Sequence, residues 1–190
     1  MKEFIELYID ESIKVKKEIL ISSTLISKME TSAKLIIEAY KNTKKVLIAG
    51  NGGSAADAQH IATELVSKFI RERAALNAIA LTTNTSILTA VANDYGYDDV
   101  FSRQIEAYGN VGDIYIAIST SGNSNNVIKS IEQAKKQGLK VIGLTGKKVS
   151  RMDEICDLVI KVPSEKTPII QESHIMIGHI ICELIEKELF

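Results

Sequence analysis

Two polar clusters in the sequence carry side chains that could perform chemistry, and the first lies in AGNGGSAADAQHIATEL, residues 49–65. His60 and Glu64 stand four residues apart there, so on a helix they share one face and can meet one ion or one substrate. An imidazole and a carboxylate can serve as acid and base, or they can bind zinc. Each residue alone is typical of a partly buried or solvated helix position, but the pair directly after a glycine-rich turn favours a functional role.

The glycine-rich turn fits the dinucleotide pattern G-x-G-x-x-A through Gly50, Gly52 and Ala55, after the apolar run KKVLIAG. A dinucleotide site also needs a carboxylate at the end of the next strand to hold the ribose. The next apolar run ends in AIALTTNTS, with no carboxylate before Asp94. The turn therefore does not indicate NAD binding, and GLTGKKVS lacks the spacing of an ATP-type phosphate loop.

The second cluster is a run of hydroxyl groups in ISTSGNSNNVIKSIEQAKKQG, between a predicted strand and a predicted helix. It contains Ser119, Thr120, Ser121 and Ser124. Hydroxyls beside the unpaired backbone N–H groups of a helix N-terminus can enclose a phosphate without a lysine. Helix capping by Ser121 or Asn123 would explain one hydroxyl but not four, so the loop predicts a phosphate site.

A parallel sheet is predicted to position both clusters, because five short apolar runs alternate with longer helical segments. The strands are predicted at 45–50, 77–82, 113–119, 140–145 and 158–162, and the helices at 54–70, at 84–107 with a break at DYGYDD, and at 122–137. This order predicts an α/β fold, a three-layer αβα sandwich with a five-stranded parallel sheet of the flavodoxin-like type. Both clusters then follow the carboxyl ends of strands, where such sheets bind ligands.

Two helical regions flank the predicted sheet. In the N-terminal forty residues, Ile26, Met29, Ala33, Ile36 and Tyr40 recur at helical spacing and predict a helical pair with an apolar stripe. The final segment, PIIQESHIMIGHIICELIEKELF, predicts a helix that is apolar around much of its circumference. We expect one domain over 1–190, with oligomerisation helices at 1–43. Residues 44–190 are predicted to form the α/β core and the last helix, which we also expect to lie between subunits.

The composition narrows the range of partners. The chain has 23 basic and 24 acidic residues, a formal charge of −1, which gives no general attraction to nucleic acid or to anionic membranes. No apolar run approaches the ~20 residues that span a bilayer, and no signal peptide is indicated. Cys156 and Cys182 form no metal or redox motif and are predicted to be buried thiols. These features predict a cytoplasmic protein with a small-molecule ligand.

Four segments together resemble a known family. GNGGSAADAQHIATEL, ANDYGYDDVFSRQIEA, ISTSGNSNNVIKSIEQA and IIQESHIMIGHIICELIEKE are similar to the sugar isomerase (SIS) domain of the phosphoheptose isomerases, in the same order over nearly the whole chain. The resemblance implies an aldose-ketose isomerase that converts sedoheptulose 7-phosphate to D-glycero-D-manno-heptose 7-phosphate through an enediolate, in heptose synthesis for lipopolysaccharide or capsule. It also implies a homotetramer with active sites between subunits.

The resemblance also implies a role for each matching residue. Glu64 would be the general base and His179 the acid, and His60, Glu64, Gln171 and His179 fall at the positions of one zinc ion. The implied substrate-binding set comprises Asn51, Gly52, Gly53, Ser54, Glu64, Asn93, Asp94, Ser119, Thr120, Ser121, Ser124 and Gln171. Because Gln171 and His179 are eight residues apart, about 12 Å along a helix, we expect at least one of them to reach the metal from a neighbouring subunit.

Two alternatives stay open from the sequence. Some relatives in the family are regulatory binding proteins that lack the glutamate and the last-helix histidine, whereas this chain has Glu64 and His179. The phosphate loop also fits an isomerase of another phosphosugar. Pro168 and Ile169 stand where the family often has a pair containing arginine, and Lys68 stands at an arginine position, so the sugar contacts near the last helix are not defined by the resemblance.

Overall fold

A computed structural model describes residues 1–190 and contains eight α-helices, one short 3-10 turn and five strands. In chain order these are α1 (Lys2–Ile21), α2 (Ser23–Lys41), β1 (Val46–Gly50), α3 (Gly53–Val66), β2 (Ala78–Ala80), α4 (Thr85–Asp94), the 3-10 turn (Tyr97–Asp99), α5 (Ser102–Tyr108), β3 (Ile114–Ile118), α6 (Asn125–Lys136), β4 (Lys140–Thr145), α7 (Met152–Ile155), β5 (Leu158–Lys161) and α8 (Thr167–Leu189).

The five strands form one parallel sheet in the order β2-β1-β3-β4-β5. This is the flavodoxin-like order, in which the chain changes direction across the sheet between β1 and β3. Ile48 of β1 pairs with Ile116 of β3, which in turn pairs with Ile142 of β4. The predicted α/β sandwich is confirmed, and the two loops that follow β1 and β3 lie side by side at the carboxyl edge of the sheet.

Helices cover both faces of the sheet and make two separate apolar cores. Successive side chains of a strand point to opposite faces, so Val46 and Ile48 enter the core formed with α2, α3 and α8. Leu47 and Ala49 enter the core formed with α4, α5 and α6. Every residue of β1 and β3 is buried, which explains why these strands are apolar on both faces.

The apolar stripe of α2 packs within the chain. Met29, Ala33 and Ile36 are buried against α8 and the sheet. The prediction that this stripe is an oligomer surface is therefore wrong for these three residues, although Ile26 is exposed. Helix α8 packs between α2 and α3 of the same chain, so its apolar circumference is explained without a second subunit. No helix, α8 included, has the combination of length and apolar character needed to cross a membrane.

Helix α1 makes few contacts with the rest of the chain and carries the large exposed apolar side chains. They include Phe4, Ile5, Leu7, Ile9, Leu20 and Ile21. Polar contacts attach the middle of α1 to α8, where the ammonium of Lys16 donates to the Glu172 carboxylate at 2.6 Å. The exposed apolar surface of the N-terminal pair thus lies on α1 rather than on the stripe of α2.

Three predicted boundaries differ from the structure for identifiable reasons. Helix α3 ends at Val66 instead of residue 70, because the backbone N–H groups that follow it donate to the carboxylate of Glu186. Helix α6 begins at Asn125 instead of residue 122, because the serine-rich loop turns before the helix starts. Strand β2 has three residues, at the edge of the sheet.

Candidate active site

Three side chains from two helices converge where α3 packs against α8. On α3, His60 Nε2 lies 3.0 Å from Glu64 Oε1, as their spacing predicts. On α8, His179 Nε2 lies 3.3 Å from His60 Nε2. The three ligand atoms all lie within 4.8 Å of one another in a single chain. We call these three residues the His-Glu-His cluster.

Close packing of α3 against α8 brings the cluster together. Gly178 precedes His179, and a Cβ added to it would lie 2.8 Å from Ile61 Cδ1, next to His60. A larger residue at 178 would require the Ile61 side chain to move, so the glycine favours the short approach of the two imidazoles. The side chain of His60 is 48 % exposed, so the cluster opens to solvent on one side.

The cluster has the donor set and the spacing of a zinc site. Nitrogen and oxygen ligands that lie about 2.0–2.1 Å from a tetrahedral zinc ion are about 3.3 Å apart. The His60–His179 and His60–Glu64 separations of 3.3 and 3.0 Å match that spacing, and all three atoms lie within 4.8 Å of one another. Two imidazole nitrogens beside a carboxylate oxygen are also ligands that zinc prefers. These residues therefore fit a metal ion.

Gln171, the fourth predicted ligand, lies elsewhere along α8. Its amide packs against the glycine-rich turn, where a Cβ added to Gly53 would fall 2.5 Å from Gln171 Nε2. Their separation along α8 led us to expect that at least one of Gln171 and His179 reaches the metal from another subunit. His179 does not need a second subunit, because it meets His60 and Glu64 within one chain. Only Gln171 stays a candidate for the expected contribution from another subunit.

The serine-rich loop after β3 folds around its own hydroxyl groups. Ser119 Oγ lies 3.0 Å from Ser124 Oγ and 3.4 Å from Ser121 Oγ, and it accepts a hydrogen bond from the N–H of Gly122 at 3.2 Å. Thr120 and Ser121 line a cavity of about 130 Å³ together with Lys147 and Lys148. The loop thus gathers hydroxyls at the N-terminus of α6 and beside two lysines.

Helix capping does not account for these hydroxyls. The N-cap of α6 is Ser124, and its hydroxyl makes no capping hydrogen bond, so neither Ser121 nor Asn123 caps the helix. The side chain of Asn123 instead donates to the carbonyl of Ser121, and its oxygen accepts from the N–H of Arg151. The N–H of Val127 donates to Asn126 Oδ1 at 2.9 Å, whereas the N–H groups of Asn125 and Asn126 have no partner in the chain. These two groups are available to an anion, as expected for a phosphate site.

A pair of asparagines joins the two loops. Asn51, in the glycine-rich turn, and Asn126, in the first turn of α6, exchange two amide hydrogen bonds of 2.8 and 2.9 Å. The hydroxyl of Tyr97 also donates to Asn51 Oδ1 at 3.3 Å. Neither Asn126 nor Tyr97 was predicted as a site residue. The sequence signal for Asn126 is the unusual NN after the serine-rich loop, at a position where α6 begins.

Only some of the remaining predicted site residues lie in the glycine-rich turn or at the start of the helix that follows it. Gly52 has a φ of +56° and is exposed in the turn, and Ser54 is buried in the first turn of α3. Asn93 and Asp94 lie exposed at the end of α4, where Asn93 Nδ2 donates to Asp94 Oδ1 at 2.8 Å. Their side chains make no hydrogen bond with either loop or with the His-Glu-His cluster.

Asp57 was not predicted as a site residue, yet it stands one helical turn before His60. Its Oδ2 atom is buried and has no hydrogen-bond partner. Burial raises the pKa of Asp57 to about 6, although the nearby His60 opposes the shift. A carboxyl group that titrates near neutral pH therefore lies beside the cluster.

Two other polar residues of α8 have structural partners. His174 is fully buried, its Nε2 lies 3.2 Å from the carbonyl of Thr145, and burial lowers the pKa of His174 to about 4. The imidazole is thus neutral and belongs to the core. Glu183 forms an ion pair with Lys187 at 2.7 Å and does not hydrogen-bond His179.

The fold and the site together define a SIS domain. The SIS domain family model matches residues 8–146. Phosphoheptose isomerases from Aneurinibacillus thermoaerophilus and Clostridium acetobutylicum are 55 % and 53 % identical to the chain over all of its 190 residues, which align with 96 % and 97 % of theirs.

Solved structures agree with this result. The structure of phosphoheptose isomerase from Neisseria gonorrhoeae superposes with a TM-score of 0.92 at 41 % identity, over 98 % of each chain. The chain belongs to the phosphoheptose isomerase family of SIS domain proteins, and it is an isomerase.

Proposed function

We propose that this chain converts sedoheptulose 7-phosphate to D-glycero-D-manno-heptose 7-phosphate. The observation that carries the proposal is the approach of Glu64 and His179 within one cluster, in a chain whose glycine-rich and serine-rich loops are held together by the Asn51–Asn126 pair. A carboxylate and an imidazole at one point can move a carbonyl group along a sugar. The hydroxyl-rich loop and the N-terminus of α6 would hold the phosphate.

The reaction needs two proton transfers at carbon and two at oxygen. The carboxylate of Glu64 takes a proton from C1, and the C1–H electrons form the C1–C2 double bond of an enediol while the C2 carbonyl oxygen accepts a proton from His179. The O1 hydroxyl then gives its proton to His179, C1 becomes the aldehyde carbon, and Glu64 returns its proton to C2. Glu64 Oε1 faces His60, and its other oxygen makes no hydrogen bond and is available as the base.

A zinc ion is part of the proposal because the cluster fits one. His60, Glu64 and His179 would hold the ion, with Gln171 as a further candidate ligand. A bound zinc ion polarises carbonyl and hydroxyl oxygens and so stabilises the charge of an enediolate. The Nε2 atoms of both histidines face the site. An imidazole nitrogen that binds zinc carries no proton, so His179 would give its proton to the substrate from Nδ1 while Nε2 binds the ion.

Oligomerisation would complete the site. His60 is half exposed, and Gly53, Asn93 and Asp94 lie at the surface, so one chain does not enclose a seven-carbon sugar. The exposed apolar face of α1 provides a surface of the kind that subunits bury in stable interfaces. We therefore propose a cytoplasmic homotetramer in which a neighbouring subunit covers the sugar. We also propose that the product is used in the synthesis of lipopolysaccharide or capsule.

The test is to incubate the purified protein with sedoheptulose 7-phosphate and to follow the aldose product by NMR, with and without a chelator. Formation of the manno-heptose 7-phosphate supports the proposal, and its loss on chelation with recovery on adding Zn²⁺ supports the metal. Binding of the phosphosugar without turnover would overturn the proposal in favour of a regulatory module. Faster turnover of a pentulose or hexulose phosphate would assign the chain to another phosphosugar.

A further inference from the structure

A buried carboxylate on α8 accepts four hydrogen bonds. Glu186 of α8 accepts from the backbone N–H groups of Phe69, Ile70 and Arg71 at 3.1, 2.8 and 2.9 Å. Its side chain is 2 % exposed. These three donors belong to the segment that follows α3, so one residue of α8 determines where the chain turns after the helix that carries His60 and Glu64.

Arg73 is the cationic partner of Glu186 and is equally buried. Its Nε donates to Glu186 Oε1 at 3.0 Å, and its side chain is 1 % exposed. Its other guanidinium nitrogens donate to carbonyls at the end of α3, namely Leu65 at 2.9 Å and Glu64 at 2.7 Å. The guanidinium thus satisfies the helix-end carbonyl of Glu64 and shares that of Leu65 with the N–H of Leu76.

The charge of Glu186 is maintained despite its burial. Burial raises the pKa of this carboxyl, but the hydrogen bonds from Ile70, Arg71 and Phe69 and the Arg73 guanidinium outweigh that effect and lower the pKa to about 2. A buried ion pair contributes little net stability compared with apolar residues of the same volume.

Contacts link Glu186 to the proposed acid and Arg73 to the proposed base. The N–H of Phe69 is held by Glu186, and the ring of Phe69 stacks on the ring of His179, with centroids 5.5 Å apart and planes inclined by 28°. The backbone of Glu64 is held by Arg73. We propose that Glu186 and Arg73 are positioning residues that set the orientation of the His179 imidazole, through Phe69, and of Glu64.

The effect that this inference predicts on kcat rests on the proposed function. The orientation of the His179 ring that it predicts can be measured without turnover. The chain has three histidines, so the imidazole signals in an ¹⁵N-labelled sample are few and can be assigned by substitution. The ring current of Phe69 acts on the stacked His179. Glu186→Gln should therefore shift the His179 signals in the same direction as Phe69→Leu, and it should leave those of the buried His174 unchanged.

A matched control is the buried carboxylate of Asp113, which shares no hydrogen-bond partner with Glu186 or the cluster. Asp113 precedes β3, its side chain is 2 % exposed, and it accepts from the ammonium of Lys45 at 2.5 Å and from the backbone N–H groups of Lys45 and Asn110. Asp113→Asn therefore removes a buried carboxylate with the same kinds of partners, none of which belongs to the cluster or to the segment 69–73. It should leave all three imidazole signals and kcat unchanged, whatever it does to stability.

The kinetic experiment compares the same variants with sedoheptulose 7-phosphate, below the temperature at which any of them unfolds. Misplacing a catalytic group by about 1 Å can cost on the order of 100-fold in rate, so Glu186→Gln and Phe69→Leu should lower kcat by about tenfold or more. KM should change less than about twofold, because the phosphate loop does not contact this pair. Arg73→Lys should lower kcat similarly, since an ammonium cannot reach both helix-end carbonyls.

The outcomes separate the inference from the proposed function. A wild-type protein without isomerase activity overturns the proposed function, while the imidazole signals still decide the positioning role. Unmoved His179 signals in Glu186→Gln, or equal losses of kcat in Glu186→Gln and Asp113→Asn, overturn the inference. If Glu186→Gln does not fold, Phe69→Leu decides, because it leaves the buried pair intact: wild-type kcat in that variant would refute the route through Phe69.

Discussion

Asn51 and Asn126 hold each other's side-chain amides by two hydrogen bonds, and they do so across 75 residues of sequence. Asn51 belongs to the loop after β1 and Asn126 to the helix after β3. Because these strands are neighbours whose following helices α3 and α6 cover opposite faces of the sheet, the pair joins the two layers at the site. The loop that would hold the sugar and the loop that would hold the phosphate are therefore fixed relative to each other.

Replacing Asn126 by alanine should weaken substrate binding. The change removes both amide hydrogen bonds and leaves Asn51 without its partner, a loss of about 1–3 kcal/mol that separates the two loops. We expect KM for the phosphosugar to rise about tenfold. Asn125→Ala, at the exposed neighbouring position, is the control and should leave KM unchanged in steady-state assays. Equal KM values for both variants would show that the pair does not position the loops.

Ser124→Ala should lower phosphate affinity without a matching loss of stability. An N-cap serine usually stabilises its helix by about 1 kcal/mol, but the hydroxyl of Ser124 makes no capping bond. We expect the free energy of unfolding to change by less than about 0.5 kcal/mol and inorganic phosphate to bind about tenfold more weakly. The control is Ser22→Ala, because Ser22 caps α2 by accepting from the N–H of Leu25. That variant should lose stability and keep its affinity; the reverse pattern would contradict the assignment.

Glu64→Gln should abolish turnover while substrate binding persists. The amide retains the volume and the hydrogen-bonding capacity of the side chain but cannot take a proton from carbon, and a general base typically contributes about 10²–10⁴-fold. Calorimetric titration with sedoheptulose 7-phosphate should give an affinity within about fivefold of the wild type, because the phosphate loop is untouched. Isomerisation at a near-wild-type rate would require another base.

His179→Ala should reduce both the metal content and the activity. The substitution removes one of three ligand atoms that lie within 4.8 Å of one another. Loss of a ligand should lower zinc occupancy, measured by atomic emission after dialysis, to less than about half of the wild-type value. His174→Gln is the control, since the buried His174 contacts Thr145 and no cluster residue. It should lose stability but retain its metal.

Glu186 should make part of the stability dependent on pH in the acid range. Its pKa is about 2 in the folded chain and 4.5 without these contacts. A carboxyl group with a lowered pKa stabilises the fold fully above its unfolded pKa, so this contribution is lost as the pH falls from about 4.5 towards 2. At pH 7, Glu186→Gln should lower the free energy of unfolding by about 3–5 kcal/mol, because Arg73 is left buried and unpaired.

The difference between wild type and Glu186→Gln should therefore shrink below pH 4.5 in urea titrations at fixed protein concentration. The exposed Glu188 on the same helix is the control, and Glu188→Gln should follow the wild-type curve. A difference that stays constant down to pH 3 would show that the charge of Glu186 does not stabilise the fold.

Local patterns in the sequence predict the sheet well and the ends of helices less well. Strand β4 lies at the predicted 140–145, because a strand covered on both faces reads as a continuous apolar run. Helix α3 continues its apolar pattern towards residue 70, yet it stops at Val66. The cause is Glu186, more than a hundred residues away, and no local pattern carries that information.

In the candidate site, too, a contact within one helix is predictable from the sequence and the contacts between distant segments are not. The spacing of His60 and Glu64 predicts their contact, because both lie on one helix. Their meeting with His179 depends on how α3 packs against α8, which Gly178 permits and which spacing along α8 could not reveal. Arg73, Phe69 and Asn126 were missed because each acts through a partner distant in the chain.

Gly53 and Gln171 form a matched pair, because the amide of Gln171 occupies the space beside the glycine. Gly53 has no positive φ, so its backbone does not require glycine; the space that a methyl group would take is filled by the amide of Gln171. An alanine there would fold, but it would displace the amide from the turn. A larger residue at 53 is therefore compatible only with a shorter or differently placed side chain at 171, so the turn and α8 constrain each other at this contact.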